Sequence, residues 1–321
     1  MLLLLAYVRA NPNSVLLLDE PDAHLEILRQ RQIYNVLTEE AREKGCQVIA
    51  ASHSEVLLNE AADRDVVVAF VGKPHRIDDR GSQVLKSLRE IGFEQYYQAE
   101  QTGWVLYLEG ATDLAILREF ARRLEHPAAA HLERPFVHYV ENKPGAARGH
   151  FHGLLDGKRD LVGFALFDRI DQELKDEKGL REHMWKRREI ENYLCQPETL
   201  TAFAAQGAME SSSGPLFQPS LAEKLRNLMD ECIRDFVPPA ALRDRQDPWW
   251  LDTKASDDFL DRVFRQFYER QGLAGMMWKS GYHQLARFVP KGMISGDVKD
   301  VLDEIDAVAR QAKPAAEDAD S

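Results

Sequence analysis

Along the first two thirds of the chain, short apolar runs alternate with longer amphipathic stretches. Ser14 to Asp19, with Val15-Leu16-Leu17-Leu18 inside it, predicts a buried strand. Ala23 to Lys44 keeps helical spacing with charges on its exposed face. Gln47 to Ala51 is a second short strand, Glu55 to Ala62 a second helix, and Asp65 to Val71 a third strand. A polar stretch from Lys73 to Gln83 and a short helical one to Tyr97 lead into another run, with strands at Trp104 to Leu108, Phe136 to Val140 and Val162 to Phe167. Asp113 to Leu124 is an amphipathic helix within it. Strands and helices alternating at these lengths imply parallel sheets, an α/β fold.

From about Pro197 the pattern is helical only. Leu221, Leu225, Leu228, Met229, Cys232 and Phe236 keep helical spacing, as do Phe259, Val263, Phe264, Phe267 and Tyr268. Ser211-Ser212-Ser213-Gly214-Pro215 and Val237-Pro238-Pro239 read as loops. The organisation expected is one α/β domain over 1–100 and a second over 101–195 and 276–312. A helical insertion at 196–275 interrupts the second, and an acidic, disordered tail follows at 313–321.

Composition narrows the class. Hydrophobic residues at 44% and charged residues at 29% fit a soluble globular protein. The apolar start Met1 to Val8 is too short to span a bilayer and lacks the features of a signal peptide, so it reads as the tail of a core helix, with no membrane partner expected. Three scattered cysteines imply neither a disulfide frame nor a zinc site, and a cytoplasmic setting is expected. A net charge of −12 excludes a generally basic nucleic-acid binder. It leaves room for one that meets phosphate through bound cations and a local patch, and Arg181, Lys186, Arg187 and Arg188 supply such a patch.

The candidate chemistry centres on Val105-Leu106-Tyr107-Leu108-Glu109-Gly110-Ala111-Thr112-Asp113. A strand ends in a carboxylate, passes one glycine and opens a helix that carries a second carboxylate about one turn on. Both then face the crevice beyond the carboxyl ends of the strands, where ligands of open α/β sheets bind. Two carboxylates held together repel unless a cation lies between them. Two more acidic stations follow. The run Phe164-Ala165-Leu166-Phe167 delivers Asp168, with Asp171 close behind, and Arg188-Glu189-Ile190-Glu191 puts Glu189 and Glu191 on one face if the segment is extended. An all-oxygen ligand set selects hard ions, so two Mg²⁺ or Mn²⁺ ions are expected rather than zinc. Such a pair would activate water and stabilise a leaving 3′-oxygen in phosphodiester cleavage. Each station alone has a structural alternative: Asp168 paired with Arg169, Glu189 and Glu191 paired with Arg187 and Arg188. Recurrence at three strand ends argues for a site.

In the first half, Leu16-Leu17-Leu18-Asp19-Glu20-Pro21-Asp22-Ala23-His24 puts two acids at a strand end, and Ala51-Ser52-His53-Ser54 puts a histidine at the next. In phosphate-hydrolysing sites such acids hold Mg²⁺ and orient the attacking water. This half resembles the C-terminal part of an ABC-type ATPase of the SMC and RecF-like group. The resemblance implies Asp19 as the Walker B aspartate, Glu20 as the catalytic glutamate, Asp22 to His24 as the D-loop region and His53 as the switch histidine. No Gly-x-x-x-x-Gly-Lys-Ser/Thr phosphate loop occurs in the chain. ATP is therefore expected to be hydrolysed only together with an upstream half, and the chain reads as a C-terminal portion.

The three acidic stations resemble the Toprim domain of topoisomerases, primases and recombination nucleases. The order of the two halves, followed by Arg188-Glu189-Ile190-Glu191-Asn192-Tyr193-Leu194, resembles the OLD (overcoming lysogenization defect) family of nucleases, especially its class 2 members. Residues 1–195 carry the resemblance, and 276–305 carry it more faintly. It implies a Rossmann-like Toprim domain with a helical insertion, preceded by part of an ABC-type ATPase domain. It further implies Glu109, Asp113, Asp168, Glu189 and Glu191 as metal ligands or their supports, DNA as substrate, Arg187 and Arg188 as phosphate contacts, and a homodimer formed through the ATPase part. A late lysine near the metals is also implied, with Lys291 as the candidate and Lys279 and Lys299 as alternatives. One departure stands out: where the family has Asp-Arg-Asp, this chain has Asp168-Arg169-Ile170, with Asp171 one position late. His283 and Trp278 carry no motif and are read as core or surface residues. Two other readings stand: a primase- or topoisomerase-like Toprim enzyme, for which Tyr193 and Tyr282 lack a supporting motif, and a non-catalytic ABC-type scaffold on DNA, against which the full set of acids argues.

Overall fold

The structure, a computed structural model, describes residues 2–62, 64–70, 74–77, 91–210, 218–273 and 277–315. The loop expected at Ser211 to Pro215, most of the polar stretch from Lys73 to Gln83 and the tail from residue 316 lie outside them. The chain divides into two units.

The first unit takes in residues 1–101, 152–159 and the described part of 314–321. In it β1 (Val15–Asp19) and β2 (Gln47–Ala51) pair in parallel, Leu17 opposite Ile49 and Asp19 opposite Ala51. The helix Ile27–Glu43 forms the crossover between them, as parallel pairing requires. It starts later than the pattern predicts because residues 20–25 form turns, with Ala23 N donating to Glu20 O and Leu25 N to Asp22 O. Leu16 packs with Val8 and Leu37, whereas Val15, Leu17 and Ile49 are exposed. Ser54 starts the helix Glu55–Ala61 by accepting from the Leu57 amide at 3.2 Å. The reading of Asp65 to Val71 as a further strand of a parallel sheet is corrected: among the described residues of that range only Val68–Ala69 (β3) pairs, and it pairs antiparallel with His75–Arg76 (β4).

The second unit takes in residues 102–151 and 160–313. Its sheet is four parallel strands in the order β6-β5-β7-β8, formed by β5 (Trp104–Leu108), β6 (Val137–Tyr139), β7 (Val162–Phe167) and β8 (Leu180–Met184). β5 and β7 are continuous apolar runs because both faces of a central parallel strand are covered; Val105 to Leu108 are fully buried. The helices Ala111–Leu124 and Pro144–Gly157 lie between successive strands in the chain. β8 was not expected as a strand, since Leu-Arg-Glu-His-Met has apolar residues only at its ends. The chain enters it through Gly179, whose φ of +88° a side chain would strain and whose Cβ would come within 3.1 Å of the Leu161 carbonyl.

The helical segment shares one continuous core with the sheet. Leu225, Met229 and Cys232 of the helix Gln218–Phe236, and Val263, Phe264 and Phe267 of Asp261–Arg270, join Leu106 and Phe164. The chain then returns as the 3₁₀ turns Lys279–Phe288 and Lys291–Met293 and the helix Gly296–Ala309, which packs on β7. The fold is thus α/β with a Rossmann-like parallel sheet. All three cysteines are free thiols, and no described helix is long and apolar enough to cross a membrane.

Candidate functional site

β5 stops at Leu108, and Gly110 caps the helix that follows, so Glu109 is left exposed at the sheet's carboxyl edge. One turn into the helix, Asp113 accepts from the Gly110 amide at 3.0 Å. This places the acid where the helix dipole favours it. Burial nevertheless pushes its carboxyl up to about 6, and the charges of Glu109 and Glu189 add to the rise.

The neighbouring strand supplies a residue the sequence did not single out. After β6 the chain turns tightly, Lys143 N donating to Val140 O at 2.9 Å, with Glu141 and Asn142 both at positive φ. Asn tolerates that conformation. The turn aims the Asn142 amide at two acids: its Nδ2 donates to Glu109 Oε2 at 2.6 Å and to Asp168 Oδ2 at 3.2 Å, and its Oδ1 accepts from the Asp168 amide at 2.9 Å. Asp168, at the end of β7, is shifted strongly upward, first by burial and then by its hydrogen bond to Glu109 and the charges of Glu109, Asp113 and Glu191. A hydrogen bond between two carboxyls requires a proton on one of them.

The third station is not extended, a correction to the expected geometry. Glu189 alone has extended backbone, and Ile190–Tyr193 forms a 3₁₀ turn. Asn192 fixes it: its Oδ1 accepts from Glu189 N at 3.0 Å, and its Nδ2 donates to the carbonyls of Trp250 at 3.1 Å and Thr253 at 2.9 Å. Both acids are buried. Glu189 Oε1 accepts from the Ser256 amide, and burial raises its carboxyl despite that bond. Glu191 is pushed up to about 8, by burial first and then by Glu189, Asp113 and Glu109. Neither pairs with the arginines beside it. Arg187 turns inward, donating to Asn192 O at 2.7 Å and lying 4.8 Å over the Tyr193 ring, while Arg188 is exposed and donates to Asp252 O at 3.2 Å.

Five predicted acids thus stand within electrostatic reach of one another, and none has an ion pair among the described residues. Of the other predicted residues, Asp171, Lys291 and Lys299 make no hydrogen bond or ion pair with these acids among the described residues. Asp171 is exposed and makes no hydrogen bond or ion pair among the described residues. Lys291 pairs with Glu125 at 2.5 Å, beyond the C-terminal end of the helix Ala111–Leu124. At 1.5 Å of rise per residue that end is about 18 Å from Asp113. Lys299 is exposed on the helix Gly296–Ala309. Lys279 ion-pairs with Asp257. One lysine within electrostatic reach of the acids is one the sequence gave no signal for: Lys254 pairs with Asp257 at 2.5 Å and stands two residues from Ser256. Its ammonium is strengthened first by Asp257, then by Glu189 and Glu109.

Among the described residues no three His, Cys, Asp or Glu side chains are arranged to ligate an ion directly. Asn142 and the amides of Gly110 and Ser256 hold the carboxylate oxygens instead. The donor chemistry nonetheless fits a hard cation: five carboxylates, several of them buried, with burial raising Asp113, Asp168, Glu189 and Glu191 and the charges of neighbouring acids adding to the rise of Asp113, Asp168 and Glu191.

In the first unit the two strand ends also converge. Glu20 N donates to Ala51 O at 2.8 Å, His53 Nε2 lies 3.9 Å from Glu20 Oε1, and Ser52 donates to Asp22 Oδ1 at 2.6 Å. Asp19 is exposed beside Glu20, which takes a positive φ of 41°. Residues 1–59 match the model of a family described as "AAA domain, putative AbiEii toxin, Type IV TA system". The N-terminal part is accordingly similar to an ATPase-type domain. No curated protein matches the chain.

Proposed function

We propose that the second unit is a metal-dependent phosphodiesterase acting on DNA, an endonuclease of the Toprim kind, and that the ATPase-type part regulates or dimerises it. One observation carries this reading: five carboxylates, from the ends of β5 and β7 and from the turn that follows β8, gather at the carboxyl edge of a parallel sheet with no ion pair among the described residues to offset them. Glu109, Asp113, Asp168, Glu189 and Glu191 would hold one or two Mg²⁺ or Mn²⁺ ions, exchanging their present hydrogen bonds for bonds to the ion. Bound there, such ions would supply an activated water and neutralise charge at a leaving oxygen. Asn142 orients Glu109 and Asp168 from outside the ligand set, as second-layer amides do. Lys254 stands where its ammonium can neutralise charge building on a phosphate held at the acids. Arg188 is exposed for backbone contact, whereas Arg187 serves the Tyr193 turn.

Topoisomerase chemistry needs a free tyrosine nucleophile. Tyr193 donates to Asp297 and Tyr282 to Ser256 O at 3.4 Å, and both are buried. A scaffold role leaves the burial of uncompensated acids without a purpose. The test is supercoiled plasmid incubated with the chain in Mg²⁺, Mn²⁺ or EDTA. Nicking that requires metal and disappears in Glu109→Ala is expected; plasmid left intact with every metal refutes the assignment.

A further inference from the structure

Trp278 is the most exposed large apolar side chain among the described residues of the second unit, at 68%. The other four tryptophans are buried or partly buried: Trp104, Trp185 and Trp250 in the core, Trp249 edge-on to Trp250 and Phe259. The Trp278 indole has no ring contact or hydrogen bond among the described residues, although its carbonyl is fixed by the Gly281 amide at 2.8 Å. Isolated exposed apolar groups are common and need no purpose. The surroundings of this one distinguish it. The next residue, Lys279, ion-pairs with one oxygen of Asp257, and Lys254 pairs with the other. Two residues past Lys254, the Ser256 amide holds Glu189. The exposed indole is thus next in sequence to a rim of two lysines sharing one aspartate, which connects through the Ser256 amide to Glu189.

Lysines at such a rim suit phosphates of any nucleic acid. An exposed indole suits only a base whose face is free, since within a duplex every face is already stacked. Building on the phosphodiesterase reading, we propose that Trp278 is a stacking platform for an unpaired base, so that the substrate is a strand with unpaired bases beside the scissile phosphate: a single strand, flap, gap or frayed end. The Lys254–Asp257–Lys279 trio then tracks the backbone between the stacked base and the acids.

The experiment uses the full chain with Ca²⁺ in place of Mg²⁺, titrated with oligothymidylate and with a blunt duplex of equal length. Oligothymidylate is expected to quench the exposed tryptophan emission. Trp278→Ala is expected to lose about tenfold to a hundredfold in affinity for it, with blunt-duplex affinity within about twofold of wild type. Trp278→Phe, which keeps a plane, should retain most of the affinity. Unchanged oligothymidylate binding in Trp278→Ala overturns the proposal, and so does an equal loss for duplex. If wild type nicks plasmid while Trp278→Ala binds as wild type does, stacking alone fails; if wild type neither binds nor cuts any nucleic acid, the phosphodiesterase reading fails with it.

Discussion

Asn142 and Asp168 exchange a reciprocal pair of hydrogen bonds, amide to carboxylate at 3.2 Å and main-chain amide to side-chain oxygen at 2.9 Å. The same Asn142 nitrogen reaches Glu109 at 2.6 Å, so one residue ties three strand ends together. Asn142→Ala removes the tie while leaving every proposed ligand in place. Loss of such an outer partner typically costs 10- to 100-fold in metal affinity or activity. Calorimetric titration with Mn²⁺ should show a dissociation constant raised by about tenfold or more. Unchanged affinity would mean the acids orient themselves.

The acids also predict how stability responds to pH. Asp113 is raised to about 6 and Glu191 to about 8, above the roughly 3.9 and 4.3 of free carboxyls. The folded state binds these protons more tightly than the unfolded chain. Their stabilising contribution is complete below the free values and is lost as pH rises through 6 and then 8. His150, whose Nδ1 lies 2.9 Å from the buried Tyr107 hydroxyl and whose ring stacks on His138, works in the opposite sense. Burial and His138 depress it to about 3, so its contribution is present above its free value of about 6.5 and is lost as pH falls toward 3. Between about pH 6.5 and 8.5 only the acids titrate of these three. Scanning calorimetry in EDTA should show the melting temperature falling across that window, and saturating Mg²⁺ should flatten the fall. A melting temperature that climbs there in EDTA contradicts the assignment.

Glu191→Gln separates charge from shape. It removes a buried negative charge without changing volume. In EDTA at about pH 8 the variant should melt higher than wild type, by about 2–4 °C for each kcal/mol of repulsion relieved. In Mg²⁺ it should gain less stabilisation than wild type, having lost a proposed ligand. Equal metal-induced shifts in both proteins would remove Glu191 from the ligand set.

How much of this was legible in the sequence follows from what fixes each residue. Glu109 and Asp168 were readable because an apolar strand of known period ends at each, and strand ends in a parallel sheet share one edge. Asp113 followed from one helical turn. Asn142 was missed although it lies only two residues beyond the expected strand Phe136 to Val140, because its role arises from a positive-φ turn that no apolar pattern marks. β8 was missed because an edge strand needs few apolar residues. Lys254 was invisible: it belongs to a segment read as a separate helical insertion, and only the shared core brings that segment beside the sheet. Lys291 sits where the chain is expected to re-enter the α/β core, as the resemblance implies for a late lysine, but sequence position says nothing of the helix length that separates it from Asp113.

That contrast between lysines is testable. Lys254→Ala should lower plasmid nicking by about 10²-fold, the usual cost of removing one group that meets transition-state charge. The loss should fall on kcat more than on KM, because the ammonium already has Asp257 as a partner in the free protein. Lys291→Ala removes only an exposed pair with Glu125 and should leave the rate within about twofold. The reverse ranking in a time course of nicking would return the role to Lys291.

The turn that carries Glu189 and Glu191 depends on a buried acid far along the chain. Tyr193 donates its hydroxyl to Asp297 Oδ2, which also accepts from the Lys186 amide at 3.2 Å, while the Lys186 ammonium lies 3.3 Å from Oδ1. Asp297 also opens the helix Gly296–Ala309, where negative charge is favoured. Asp297→Ala leaves the buried Tyr193 O–H without its acceptor, although its oxygen still accepts from the Arg187 amide at 3.3 Å, and an unpaired buried donor costs about 1–3 kcal/mol. Tyr193→Phe removes the donor itself and leaves Asp297 with Lys186, losing only the 3.3 Å bond from the Arg187 amide, so it should cost less. Combining the two should cost little more than Asp297→Ala alone, because they share one interaction. Urea unfolding of the four proteins measures the coupling; fully additive losses would show that the two side chains act independently and that Asp297 does not hold the turn.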